Sequence, residues 1–380
     1  MSAEARVQAR CAYEQLRLWL VRAAYPRWAS WGWDRSLGGF HERLSPEGPM
    51  PADARRARVQ LRQIFCFARA GDFGWQGGAR ALVSDGLEHV YTRYRRPDGL
   101  MRALLGPDGA VREERALLYD QAFALLALAE AHRLLGPAAG CAARAHELLE
   151  CITHRLGAGV GFRADTDAPA GAPQLANPHM HLLEALLAWA ELDGAPHWRR
   201  IAERIVRLAL ECWLDPASGA LRERYEPRGR SEPRRTGPIE PGHHFEWAGL
   251  LLQFDAAQPA LRATALRLVR IAEEHGVCGG FAVNALAEDL TVHDPGARLW
   301  PQTERIKTLA QLAALGEAPG EWPRVAQAAE ALRAYFTEAA GLWLDRRRPD
   351  GSFVPEPSPA SSFYHIVGAV HALGAALAAD

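Results

Sequence analysis

Histidines and acidic residues recur at the starts of predicted helices in this 380-residue chain. His243 and Glu246 are three residues apart, so they share a helix face, and His365 lies in the last such segment. An imidazole moves protons near neutral pH, and a neighbouring carboxylate orients it and stabilises its charged form. These residues therefore predict proton transfer next to a carbonyl group, without a cofactor.

Other polar or aromatic side chains lie near the starts of the same helices: Arg58, Tyr119, Asn177, His181, Trp300 and Glu304. Taken singly, such a residue is more often a helix cap or a packed core residue than a ligand. Buried polar groups are costly unless they are paired. Six consecutive helices with such groups at the same end therefore favour one shared pocket.

A metal site and a site with two catalytic carboxylates are the other possibilities for these residues. His179 and His181 point apart on a helix, as do His243 and His244, so neither pair can hold one metal ion, although a site built from several helices stays open. The chain has no H-E-x-x-H, G-x-S-x-G or phosphate-binding glycine loop. Paired carboxylates could hydrolyse a glycoside, but the histidines would then have no role. We expect no metal and no cofactor.

The elements that position these residues follow a long repeat. A glycine beside an apolar residue recurs at roughly 60-residue intervals, which is typical of a repeat architecture. The six turns are Gly39-Phe40, Gly99-Leu100, Gly161-Phe162, Gly219-Ala220-Leu221, Gly280-Phe281 and Gly351-Ser352-Phe353.

Twelve helices are predicted, in two alternating sets. Those starting near residues 55, 118, 178, 243, 301 and 360 are apolar on more than one face, as buried helices are, whereas those starting near 3, 77, 139, 196, 257 and 320 are amphipathic. We predict an all-α fold, an (α/α)6 barrel of six helical hairpins with six inner and six outer helices joined by short hairpin turns. One catalytic domain would span residues 1-380, and an open solenoid is the alternative.

Composition limits the partners. The chain is 48% hydrophobic and 23% charged, with a net charge of −1, so no overall field favours nucleic acid or a membrane surface. The six cysteines form no C-x-x-C pair, and the N-terminus lacks the apolar run of a signal peptide. A cytoplasmic protein is expected. The basic stretch from Arg222 to Arg235 is either a solvated loop or a mobile lid.

Four motifs resemble those of the N-acylglucosamine 2-epimerase superfamily, in the same order along the chain. They are NPHMHLLEA, EPGHHFEWAGLL, RLWPQTERIK and SSFYHIVGA. That superfamily has the (α/α)6 barrel and includes 2-epimerases of N-acylglucosamine and cellobiose and isomerases that act on mannose.

The resemblance implies roles for the candidate residues. His243, supported by Glu246, and His365 would be the acid and base. Arg58 would bind the sugar hydroxyls or stabilise the enediolate, and Asn177 and His181 would bind the sugar near O1 and O2. Glu304, with Trp300 nearby, would orient a histidine or sugar hydroxyls. Tyr119 would also bind the substrate, although it matches the motif less well.

The implied reaction opens the sugar ring and removes the C2 proton to give an enediolate. We favour an aldose–ketose isomerase converting D-mannose and D-fructose, because no segment is evident for a nucleotide or a second sugar ring. The alternatives are a 2-epimerase, a non-catalytic partner-binding protein and a helical-barrel glycosidase. The expected partner is a small sugar, with a phosphorylated sugar less favoured, and the expected assembly is a monomer or homodimer.

Overall fold

The computed structural model describes residues 2–159, 161–169, 171–226, 234–316 and 321–379. Within these ranges lie thirteen α-helices: α1 (Ser2–Trp19), α2 (Tyr25–Trp31), α3 (Ala57–Ala68), α4 (Ala79–Arg93), α5 (Leu118–Leu135), α6 (Cys141–Leu156), α7 (Ala176–Leu192), α8 (Pro196–Leu208), α9 (Pro241–Asp255), α10 (Pro259–Gly276), α11 (Leu299–Ala314), α12 (Glu321–Arg333) and α13 (Ala360–Ala378). A π-helical turn at Leu20–Ala24 joins α1 to α2, and a second one at Ala209–Trp213 extends α8.

The strands are only two or three residues long and pair antiparallel. They are β1 (Arg43–Ser45), β2 (Gly48–Pro49), β3 (Arg55–Arg56), β4 (Leu104–Leu105), β5 (Val111–Glu113), β6 (Gly157–Ala158), β7 (Gly161–Phe162), β8 (Gln174–Leu175), β9 (Arg224–Glu226), β10 (Arg234–Thr236), β11 (Val277–Cys278), β12 (Phe281–Ala282), β13 (Ala285–Leu286), β14 (Val292–Asp294), β15 (Ala297–Arg298), β16 (Arg346–Arg347) and β17 (Ser358–Pro359).

Six helices form a closed inner ring. Helices α3, α5, α7, α9, α11 and α13 each pack on the next, and α13 packs back on α3. Helices α4, α6, α8, α10 and α12 pack outside them, and α1 packs against α12 and α13. The (α/α)6 barrel is therefore confirmed, and closure excludes the open solenoid.

The apolar character of the inner helices follows from this position. In α5, every residue from Gln121 to Ala131 is buried, because the helix faces the barrel on one side and outer helices on the other. Among the described helices only α13 is long and apolar enough to cross a membrane by length and composition, and 67% of its apolar window is buried inside the barrel.

The glycine turns are β-hairpins that the inner helices hold in place. Gln60, for example, accepts a hydrogen bond from the backbone N–H of Phe40 and donates to its carbonyl. An equivalent backbone N–H is bound at the other five hairpins, by Gln121 on Met101, His179 on Phe162, His244 on Leu221, Gln302 on Ala282 and Ser358, in β17 just before α13, on Trp343. Gln121, Gln302 and Ser358 also donate to the carbonyl, whereas the two histidines only accept. We call these six side chains the hairpin clamps.

The sixth predicted turn is wrong in position. The hairpin equivalent to the other five pairs Phe336 with Trp343 and turns at Gly341, which has a φ of 80°. Gly351 turns a different hairpin, between Arg347 and Phe353. Both turns have a glycine followed within two residues by an apolar one, Leu342 or Phe353, so the local sequence does not separate them.

The segments that precede the inner helices form a second closed ring through short antiparallel strand pairs. The lead-in to each inner helix pairs with a segment of the next repeat, as β3 does with β4, and β17 closes the ring by pairing with β1. The N-termini of all six inner helices therefore gather at one mouth of the barrel. The predicted convergence of the helix starts is confirmed.

Candidate active site

A cavity of about 270 Å³ opens at this mouth. It is lined by Arg62, Tyr119, Asn177, His181, Glu240, His243, Glu246, Arg298, Trp300, Asp345, Ser361, Ser362 and His365, so all six inner helices contribute. The volume is close to the lower end of the range for small-molecule sites, which suits one sugar ring. Seven of the nine predicted site residues line it; Arg58 and Glu304 do not.

His365 is held as a neutral base. Its Nδ1 lies 2.8 Å from Oε1 of Glu304. Burial lowers the pKa of His365 to about 4, although the Glu304 carboxylate opposes the shift. The pKa of Glu304 is lowered to about 2, because Lys307 and His365 outweigh its burial. An ionised Glu304 accepts the Nδ1 proton, which leaves Nε2 of His365 as the free, basic nitrogen.

His243 is held as an acid. Its Nδ1 lies 2.7 Å from Oε1 of Glu223 and 3.9 Å from Oε2 of Glu240. Burial would lower the pKa of His243, but these carboxylates and Glu246 raise it to about 9. His243 is therefore protonated at neutral pH, whereas His365 is not. Two histidines whose pKa values are pushed apart around one cavity form an acid–base pair.

The carboxylate bound to His243 is thus Glu223 rather than Glu246. Glu246 lines the cavity on the same helix face as predicted, but its Oε1 lies 3.6 Å from Nδ1 of His181. Burial and the nearby Glu304 raise the pKa of Glu246 well above its usual range. Glu246 therefore acts on His243 only at a distance.

Of the two arginines near the start of α3, Arg62 lines the cavity and Arg58 does not. Arg58 and Arg62 share a helix face and both lie over the Tyr119 ring. Arg58, however, donates from Nε to Asp120 at 2.9 Å, off the cavity. Arg62 lies one turn further along α3 and donates to the Tyr119 hydroxyl at 2.6 Å and to the Ser361 carbonyl at 3.2 Å. Among the described residues, no carboxylate forms an ion pair with Arg62.

Two roles were expected of Glu304, to orient a histidine or to bind sugar hydroxyls, and its position fits the first. It is completely buried behind His365 and does not line the cavity, so it contacts the imidazole in place of the substrate. Trp300 does line the cavity. Its ring lies 4.9 Å from the ring of His243 and 5.8 Å from that of His365, so it stands between the two histidines.

Two polar groups on the cavity have spare acceptors. Asn177 Oδ1 and Glu246 Oε1 are buried and lack a hydrogen-bond donor within the described part of the chain. His181 is neutral, because burial lowers its pKa to about 4, and its Nδ1 lies 3.3 Å from Glu184. Sugar hydroxyls are donors that would satisfy such acceptors.

Two sets of side chains place three possible metal donors within 4.8 Å of one another: His181 with Glu184 and Glu246, and His243 with Glu223 and Glu240. In both sets the imidazole Nδ1 already faces a carboxylate oxygen, at 3.3 and 2.7 Å. We interpret them as imidazole–carboxylate pairs.

The basic stretch is described only in part. Strands β9 and β10 form its stem, while residues 227–233, where a lid would close, lie outside the described residues. Arg222 forms an ion pair with Glu288, which is 83% exposed. Glu223, just before β9, was not predicted as a site residue. Nothing in the local sequence marks it, because only the fold brings its carboxylate to His243.

Comparisons with known proteins agree with this geometry. A sequence profile of the N-acylglucosamine 2-epimerase (GlcNAc 2-epimerase) family matches residues 38–369. A mannose-6-phosphate isomerase of Rhizobium meliloti (strain 1021) is 40% identical over 375 residues, 94% of this chain and 96% of that protein. A D-mannose isomerase of Thermobifida fusca is 29% identical over 274 residues, 64% of this chain and 66% of that protein.

The fold has solved counterparts. A cellobiose 2-epimerase from Spirochaeta thermophila DSM 6192 superposes with a TM-score of 0.83 at 21% identity, covering 97% of both chains. Together with the matching sequences, the barrel and its histidine-lined mouth define a sugar isomerase or epimerase. The chain belongs to the N-acylglucosamine 2-epimerase family, in which it resembles the mannose isomerases.

Proposed function

We propose that the protein is a cofactor-independent aldose–ketose isomerase that interconverts D-mannose and D-fructose. The observation that carries the proposal is the difference between the two cavity histidines. One imidazole is neutral with a free Nε2, and the other is protonated. Isomerisation through an enediolate needs a base at carbon and an acid at oxygen on the same substrate.

His365 removes the C2 proton of the open-chain aldose. The C2–H electrons form the C1=C2 bond, and the C1 carbonyl electrons move to O1. His243 donates its proton to O1 and takes up the proton of O2, after the same pair has assisted ring opening. His365 then returns its proton to C1, so the C2 carbonyl of the ketose forms and both histidines regain their starting states.

Arg62 stabilises the enediolate. Arg62 is 5% exposed and forms no ion pair with a described carboxylate, so its charge is available to an oxyanion in the cavity. Asn177 and His181 bind hydroxyls near O1 and O2. The unpartnered Oε1 of Glu246 can accept a hydrogen bond from a sugar hydroxyl.

A neutral sugar fits the described cations better than a phosphorylated one. A phosphate is bound by cations with free donors. Arg298, at the rim, is bound to Glu240 at 3.0 Å, and Arg62 lies deep in the cavity against Tyr119. Mannose 6-phosphate is the second candidate, because the relative from Rhizobium meliloti bears the name of an isomerase of that sugar.

The test is a substrate panel. Ketose or epimer formation is measured with D-mannose, mannose 6-phosphate, D-glucose, N-acetylmannosamine and cellobiose. We expect the highest kcat/KM with D-mannose and D-fructose as the product. A tenfold preference for mannose 6-phosphate would overturn the choice of a neutral sugar, and a 2-epimer as the main product would overturn the isomerase.

A matched pair of variants on α13 links the activity to the cavity. His365→Asn should lower kcat about 10²- to 10⁴-fold, as expected for the loss of a general base. His371→Asn alters a histidine on the same helix that lies near Asp72 and away from the cavity, so it should keep the activity. Cytoplasmic location and a monomeric or dimeric state remain predictions.

A further inference from the structure

A layer of ionisable side chains closes the barrel beneath the sugar cavity. It consists of Glu184, Glu246, Glu304, Lys307 and Tyr364, which we call the charged layer. All five also line a second cavity of about 570 Å³, which opens at the opposite end of the barrel. Of these residues, Glu246 lines both cavities, so the layer is the partition between them.

Lys307 reaches the catalytic base from below. Its Nζ lies 2.7 Å from Oε2 of Glu304, and the other oxygen of that carboxylate, Oε1, lies 2.8 Å from Nδ1 of His365. Lysine and glutamate are three residues apart on α11, so the pair is fixed within one helix. An ammonium, a carboxylate and an imidazole thus form a continuous chain from the lower cavity to the sugar.

The charges in the layer are unequal. Three carboxyl groups, of Glu184 on α7, Glu246 on α9 and Glu304 on α11, surround the single ammonium of Lys307. The two described arginines on the lower cavity form ion pairs elsewhere: Arg69 with Glu130 and Arg133 with Glu191. From α3, Arg62 acts on His365 but lies on the upper side.

We propose that Lys307 is a positioning residue of the isomerisation: its ammonium fixes the Glu304 carboxylate on Nδ1–H of His365 and so keeps Nε2 free for the sugar. The inference rests on the proposed function. Without the ammonium, Glu304 would lose its main opposite charge in a buried site, and burial favours the protonated form of a carboxyl group. A protonated Glu304 would donate to Nδ1 and shift the imidazole proton to Nε2, where no base would remain.

The directions of the pKa shifts agree with this geometry. Burial would raise the pKa of Glu304, and Lys307 is the largest influence that lowers it. Lys307 also lowers the pKa of His365, together with Arg62. Removal of the ammonium should therefore raise both pKa values. Because the reaction needs a neutral His365 and an ionised Glu304, the acid limb of the activity should move to higher pH.

The experiment compares the pH profiles of kcat/KM for three variants: Lys307→Gln, Lys307→Arg and Arg133→Met. Lys307→Gln keeps a hydrogen-bond donor beside Glu304 but loses the charge. We expect kcat at pH 7 to fall on the order of 10- to 100-fold in Lys307→Gln, with the acid limb at higher pH. Lys307→Arg should keep the limb of the unaltered enzyme.

Arg133→Met is the matched control, because it removes a cation from the same cavity without touching Glu304. An unshifted limb in Lys307→Gln, or an equal shift in Arg133→Met, would overturn the inference.

A second readout separates this inference from the proposed function. Nitrogen NMR of labelled histidine reports the tautomer of His365 with no sugar present. We expect the Nδ1–H form in the unaltered protein and a loss of that form in Lys307→Gln near pH 6. A His365 that keeps the Nδ1–H form in both proteins would refute the role of Lys307, even if mannose is isomerised. The expected change in tautomer would support it, even if none of the tested sugars reacts.

Discussion

The two cavity histidines differ in charge because their carboxylate neighbours differ. Glu304 is matched by Lys307, so His365 has little net negative charge beside it and burial keeps it neutral. His243 faces Glu223 and Glu240, and their combined charge overcomes its burial. The site therefore separates acid and base by the surroundings of two chemically identical side chains.

The pH dependence follows from these two states. The proposed base, His365, gains a proton as pH falls through its pKa of about 4, and the proposed acid, His243, loses its proton as pH rises through its pKa of about 9. The profile of kcat/KM should be a bell with a broad plateau. Glu223→Gln removes the carboxylate that raises the pKa of His243, so the alkaline limb should move to lower pH.

Glu288→Gln, which alters an exposed carboxylate next to Arg222, should leave both limbs in place. A Glu223→Gln enzyme with the unaltered alkaline limb would contradict the assignment of His243 as the acid.

The arginines of α3 give a second test at this scale. Arg62→Lys should lower kcat about 100-fold or more, because a planar donor aimed at the enediolate is lost. Arg58→Lys should mainly affect stability, since Arg58 is paired with the fully buried Asp120. Kinetics and thermal unfolding of both variants separate the roles, and a larger loss of kcat in Arg58→Lys would reverse the assignment.

The sequence alone could not make these two distinctions. Arg58 and Arg62 share one helix face, and which of them reaches the cavity depends on how far α3 extends beneath the mouth. Glu223 lies 20 residues before His243 on a different element. Helical spacing, which pointed to Glu246, describes neighbours within one helix only.

At the scale of the elements, histidines one or two residues apart on an inner helix have different roles. His179 clamps a hairpin through the Phe162 N–H at 2.9 Å, while His181, two residues on, lines the cavity. His244 and His243 are divided in the same way. The helix periodicity predicts that such pairs diverge, but the partner of each ring is set by the fold.

This division predicts opposite effects of two alanine variants. His179→Ala leaves the buried Phe162 N–H without an acceptor, so the free energy of unfolding should fall by about 1–3 kcal/mol with little change in kcat. His181→Ala should lower kcat/KM with a smaller loss of stability. Denaturant unfolding and steady-state kinetics measure both quantities, and equal losses of activity would show that the clamp does not act separately from the site.

The helices themselves could be predicted from the sequence, because burial on several faces leaves a strong apolar pattern. The starts of all twelve predicted helices agree with the structure to within about three residues. The sixth hairpin could not be predicted, because contacts made only in the fold, such as those with Ser358 and Trp28, distinguish the buried turn at Gly341 from the partly exposed one at Gly351.

At the scale of the whole molecule, the site is complete only because the ring of inner helices closes. Helix α13 carries His365 and packs on α3 and α11, and β17 before it pairs with β1 at the other end of the chain. Gln63 of α3 donates to the Ala360 carbonyl at this seam at 2.8 Å. The proposed catalytic base, His365, thus lies on the segment that closes the barrel.

A chain that ends at residue 359 should therefore fail to fold, because it leaves the apolar faces of α3 and α11 exposed. Circular dichroism should show loss of much more helix than α13 accounts for, and no cooperative unfolding. A truncated chain that unfolds cooperatively would show that the remaining helices form a stable unit without closure.

Proton transfer between C2 and C1 by His365 is the central claim, and isotope exchange tests it most directly. The protein is incubated with D-mannose in D2O and the products are followed by NMR. We predict D-fructose with deuterium at C1, at a rate that His365→Asn abolishes and His371→Asn retains. Deuterium at C2 of a 2-epimer, or exchange that persists in folded His365→Asn, would contradict the account.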